Sequence, residues 1–177
     1  MFWLRTLGYP SAALINVEAV WWKVEIFTVY QLIGAEMQVR GRVQNYLNDP
    51  DPYVNLHNVV TTPFLPGAPR LQSIAEGYAS KLSFGVVRTV DPELAPPDQA
   101  LELAKRFVYF QGTNFTVKGA VEFPAAADPH LHREMLFKQR FFSVVDATTT
   151  AIGVEMAPLQ WPHCYVNRDL MVALYLG

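Results

Sequence analysis

His130 and His132 stand two residues apart in Asp128-Pro129-His130-Leu131-His132-Arg133-Glu134. Histidines at that spacing share one face of an extended chain. With a nearby carboxylate they supply donor types that zinc or nickel takes. The same segment also reads as a polar loop opening a short helix, with Asp128 near its cap. The spacing dictates no third ligand. His163 and Cys164 are adjacent, so in a strand they point to opposite faces. A thiol nucleophile needs its base within hydrogen-bond reach, so this pair reads as a core cysteine beside a surface histidine. No glycine-rich phosphate loop, His-Glu-x-x-His helix or serine nucleophile elbow occurs in the sequence. The expectation is a protein that is not an enzyme and carries no cofactor. A metal-dependent enzyme at His130 and His132 is the reading against it.

Basic residues lie beside aromatic ones at two places. Arg40-Gly41-Arg42 precedes Tyr46, and Lys138 and Arg140 precede Phe141-Phe142. Such a pairing suits phosphate, a partner's carboxylate or single-stranded nucleic acid. The chain carries a formal net charge of −2, however, and phosphate-driven binding rests on a basic excess. A solvated face beside a core strand is the simpler reading. Trp21 and Trp22 are adjacent, and so are Phe141 and Phe142. In a strand one member of each pair must leave its own core, and strands apolar on both faces are covered on both. Trp21, Trp22 and Phe142 therefore mark an expected assembly surface, with packing between two halves of the chain as the alternative cover.

The elements that must carry these residues follow one pattern written twice. Val24 and Ile26 alternate with polar neighbours, and Tyr30 and Leu32 lead on to Gly34. Val108 and Phe110 alternate likewise, and Phe115 and Val117 lead to Gly119. Each reads as a hairpin. An arginine-led insertion with helical spacing follows, at 42–47 and at 133–137. A strand comes next in each copy, 53–62 with Asn58 and 141–149 with Asp146, both closed by threonines. One last strand ends each copy, at 79–87 and at 165–174. Four segments in the same order imply an internal duplication. The expected division is an N-terminal arm over 1–22 with a strand from Ala13 to Trp22, a first repeat over 23–90, a Pro-rich linker over 91–106 with a short helix from Pro97 to Arg106, and a second repeat over 107–177.

With 51% hydrophobic and 17% charged residues, the 177-residue chain has material for a packed core. Pro10 and Glu18 interrupt the apolar N-terminal stretch, so no membrane span is expected there. A single cysteine excludes an intrachain disulfide and fits a cytoplasmic location.

Hairpin, arginine-led turn, hydrophobic strand with Asn and a closing Val166-Asn167-Arg168-Asp169 strand together resemble the Sm-like small β-barrel family. They also resemble a group of short bacterial β-domains with the same signatures. The resemblance implies an all-β fold of two tandem small Sm-like barrels with short helical insertions. It further implies rings built by edge-strand pairing, hence a homo-oligomer. In that family a hydrophobic–Asn–hydrophobic step belongs to a nucleotide pocket. Val54-Asn55-Leu56 matches it, while the second copy has Ser143. The family's later hydrophobic–Arg–Gly step is approached by Arg168, followed by Asp169, and by Lys81, followed by Leu82. Arg40, Arg42, Asn55, Lys81 and Arg168 are thereby the candidate contacts to a partner or to nucleic acid. Self-assembly or binding of a protein partner, in a ring, tube or filament, is the expected role. An Sm-like nucleic-acid or small-ligand binder is the second.

Overall fold

Val24 and Ile26 are buried and Lys23 and Glu25 are not, the alternation of a strand with one face on a core. In the computed structural model, which describes residues 18–91 and 102–177, this strand is β1, Ala19–Thr28. A two-residue turn leads to β2, Gln31–Arg40, and Gly41 at φ +77° turns the chain into the short helix α1, Val43–Asn48. Then come β3, Tyr53–Pro63, and β4, Ile74–Ser80. A 3-10 turn, Lys81–Ser83, joins β4 to β5, Phe84–Thr89. The second half repeats this order. Its strands are β6, Leu103–Gly112, and β7, Phe115–Pro124; then, after a 3-10 turn and the helix α2, His132–Phe137, β8, Phe141–Ala151, and β9, Leu159–Asn167. The 3-10 turn Arg168–Leu170 leads to β10, Met171–Leu176.

The protein is all-β apart from these short helical pieces. All ten strands form one open antiparallel sheet in the order β10-β6-β7-β8-β9-β5-β1-β2-β3-β4. Within each half the fifth strand returns beside the first, and the fourth lies at the far end. Asn58 and Asp146 both take positive φ, +52° and +51°. At each the ladder to the preceding strand slips: Gly34 faces Val60 while Glu36 faces His57, and Lys118 faces Thr148 while Ala120 faces Val145. Each is a bulge, and Asn and Asp are the non-glycine residues that accept this backbone most readily.

Three elements differ from the sequence expectation. Each closing strand is two strands with a 3-10 turn between them, because Ser80 and Asn167 accept the N–H of Leu82 and Asp169 and bend the chain. Residues 103–106, expected to end a helix, are strand, paired Leu103 to Pro124 through Arg106 to Val121; the rest of that helix lies outside the described residues. The arm strand expected over Ala13–Trp22 is described from Ala19 onward, and there it is the start of β1, with Trp22 facing Met37. No helix among the described residues is long and apolar enough to cross a membrane.

Candidate assembly edges and the cleft between the halves

The two halves meet through β5 and β9, the fifth strand of the first and the fourth of the second. Val86 faces Val166 and Val87 faces Tyr165. Side chains cross the seam both ways. Phe27, on the opposite face of β1 from Ile26, joins Phe64 and Val86 in the hydrophobic cluster of the second half. Phe141 and Tyr165 join the cluster of the first. The Phe115 ring lies tilted against Phe27 at 5.6 Å, where a Cβ on Gly85 would stand 2.7 Å from it. Side-chain amides, Asn167 buried and Asn48 and Asn114 half-buried, lock the seam. Asn48 receives the N–H of Phe141 at 2.8 Å and donates to its carbonyl at 2.9 Å. Asn167 donates to the carbonyl of Phe84 at 2.9 Å, and Asn114 to that of Val29 at 2.7 Å.

The outer ends of the sheet carry the counterparts of these seam residues. By strand register, Tyr53 stands where Phe141 stands, Ile74 where Trp161 does and Tyr78 where Tyr165 does. Tyr165 is 3% exposed and Tyr78 is 72% exposed. On β10, Ala173 and Leu174 match Val86 and Val87 in their pairing to the first strand of the half. Val172 and Tyr175 of β10 are exposed, and β10 contains no charged residue. Among the described residues nothing pairs with the outer sides of β4 and β10. β4 carries one charged residue, Glu76; edges with so little charge are ones that proteins ordinarily blunt with lysine or proline or else cover.

A cleft of about 890 Å³ opens beside the seam. Its apolar wall includes Val121, Phe123, Leu136 and Phe142, and its polar groups include Arg42, Arg88, Ser143 and His163. Gln44 of α1 donates to Gln139 across it at 2.7 Å. Arg88 is held by Glu25 at 2.7 Å, and Ser143 Oγ lies 2.8 Å from His163 Nε2. That size and mixture fit a small amphipathic molecule.

Of the sequence-derived residues, Arg42 lines this cleft and Arg40 is exposed at the end of β2. Lys81 is withdrawn from the surface altogether. It is fully buried, donates to the Tyr46 carbonyl at 2.6 Å and to Asp49 Oδ1 at 2.9 Å, and lies over the Tyr46 ring. Burial first, then Asp49 and Asp51, raise the Tyr46 pKa. Arg168 pairs with Asp169, which also binds Arg140 at 2.8 Å. Asn55 is half-buried and donates to Gln38 at 3.5 Å. Trp21 stacks on His57 at 3.9 Å, and Trp22 packs on the first cluster. Phe142 lies in the core of the second half, away from any edge.

The structure separates the two histidines. His130 is exposed; His132 is buried, stacked on Phe123 at 3.9 Å, in the place of Val43 in α1. No group of three His, Cys, Asp or Glu that could hold a metal occurs among the described residues. Cys164 is buried, which pushes its thiol far above the usual range and keeps it protonated. Sequence reasoning missed the Ser143–His163 contact, because the residues are twenty apart and meet only through the β8–β9 register.

Comparison with protein-family models, with curated proteins and with solved structures finds no match to this chain.

Proposed function

We propose that this chain is a non-enzymatic self-assembly module, a tandem duplication of one small Sm-like β-unit, whose copies join head to tail. In the joint β10 of one copy adds to β4 of the next. The observation that carries this reading is the internal seam. It joins a fifth strand to a fourth strand, and the two strands left bare at the ends are a fourth and a fifth. The register of the seam transfers directly: Ala173 would face Ala79, and Leu174 would face Tyr78. Such a contact uses different patches on the two partners, so it closes into a ring or runs on as a tube or filament. Main-chain hydrogen bonds supply the pairing, and covering each large apolar side chain adds roughly 1.5–3 kcal/mol.

The joint between copies lacks the amide locks of the seam. Phe137, Ser80 and Tyr30 stand where Asn48, Asn167 and Asn114 stand inside the chain. Assembly is therefore weaker than the seam and depends on concentration. Light scattering over a concentration series tests it. Mass rising in multiples of 20.0 kDa is expected, and a constant single-chain mass would sink the reading.

A second reading, binding of a small ligand, is favoured by Arg42 on the wall of the cleft. Nucleic acid has less support, with Lys81 buried and Arg168 paired. We read the assembly as cytoplasmic.

A further inference from the structure

A mouth of about 310 Å³ opens on the β4 side of the first half, lined by Ile33, Leu56, Val59, Ile74 and Tyr78 among others. By register, the corresponding wall of the second half is built from Val117, Val144, Ala147, Trp161 and Tyr165. There Phe27, Phe64 and Val86 of the first half share one hydrophobic cluster with Val117, Val144, Ala147 and Trp161, while Tyr165 belongs to the cluster of the first half. The free mouth is thus the same socket without its plug.

We propose that the plug of this socket is Ile152 of another copy. The inference rests on the head-to-tail reading and names the side chain that makes the joint specific. Phe64 follows β3, and its N–H donates to the carbonyl of Tyr30 at 2.9 Å; Ile152 follows β8, and its N–H donates to the carbonyl of Asn114 at 2.7 Å. Tyr30 and Asn114 occupy the same position in the two hairpin turns, so the two hooks hold Phe64 and Ile152 alike. Phe64 is 8% exposed, seated in the second half, and Ile152 is 44% exposed with no socket of its own chain to enter. The other two plug positions shrink or turn polar: Gln111 replaces Phe27, and Ala173 replaces Val86. Ile152 is consequently the one large apolar side chain of the three at the free end. A smaller plug in an equal socket also sets a contact that forms and breaks more readily than the seam.

The test uses full-length chains carrying one new cysteine each, Ile152→Cys or Ile74→Cys. The native Cys164 is buried and stays out of the reaction. Under mild oxidant the mixture of the two variants is expected to give a disulfide-linked pair of chains, and each variant alone is expected to give none. Cross-linking of either variant with itself would mean a like-to-like contact and overturn the proposal. A partner variant, Ile152→Asp, substitutes an exposed position, and circular dichroism verifies its fold. Its assembly midpoint is expected to move to about tenfold higher concentration or beyond. If wild-type chains assemble but the mixture does not cross-link and Ile152→Asp assembles normally, the plug is wrong and the head-to-tail reading survives. If wild-type chains stay single at every concentration, both fall. Assembly abolished by a small apolar probe such as benzene, with Ile152→Asp unaffected, would assign the socket to a ligand instead.

Discussion

Lys81 and Gly85 show how single residues hold the first half and the seam. The Lys81 ammonium is fully buried, yet it has a carbonyl, a carboxylate and an aromatic face around it. Lys81→Met keeps the packing and removes the charge-assisted bonds, and chemical denaturation is expected to show a loss of about 1.5–3 kcal/mol. Asp49, half exposed, returns to water, which keeps the loss from growing larger. Gly85 is needed for space and not for backbone freedom. The Phe115 ring is wedged between Gly85 and Gly112, with a Cβ on either falling 2.7 or 2.5 Å from it. The ring is fully buried and has nowhere to move. Gly85→Ala is expected to cost about 1–3 kcal/mol, and near-ultraviolet circular dichroism should report the loosened aromatic seam. Neither role was legible in the sequence. Lys81 reads as a surface cation until its strand is seen to end in a 3-10 turn beside α1. Phe142 reads as half of a two-faced pair, but Phe141, not Phe142, crosses to the other half.

At the scale of elements, alternation carried most of the information. Val24 and Ile26, and Val108 and Phe110, marked real strands, and the paired Asn58 and Asp146, read only as matching strand positions, sit at bulges. Matching glycines misled. Gly34 and Gly119 look equivalent, yet the two-residue turns set Gly34 against Lys118 and Ala35 against Gly119. Gly119 answers to a local need, since a Cβ there would meet the Val145 carbonyl at the bulge. The 3-10 breaks at Lys81 and Arg168 were hidden because each is a single turn between two strands, held by the side chain of Ser80 or Asn167. The element that carries the functional prediction is the bare edge. Tyr78→Lys on β4 and Val172→Lys on β10, both at exposed positions, each place a charge on an expected joint, the device by which sheets refuse new strands. Either is expected to shift assembly to higher concentration while leaving the thermal unfolding of the single chain within a degree or two, as exposed substitutions do.

For the whole molecule, the proposed head-to-tail joining rests on one seam inside the chain and on the two outer strands, β4 and β10, that nothing among the described residues pairs. The proposed joint lies in this relation between the ends and not in a cluster of reactive groups among the described residues. Single-residue motifs therefore pointed elsewhere, to histidines that the fold separates and to cations that it pairs or buries. The two-faced apolar pairs found their cover inside the chain: Phe141 crosses to the first cluster, Phe142 lies in the second and Trp22 packs on the first. The most direct test is the mass of the full-length chain in solution, measured by light scattering across concentration beside Tyr78→Lys. Head-to-tail joining predicts that the wild type climbs from 20.0 kDa in whole multiples while the variant lags behind it. A wild-type chain that holds a single-chain mass at the highest concentration, indistinguishable from Tyr78→Lys, would contradict it.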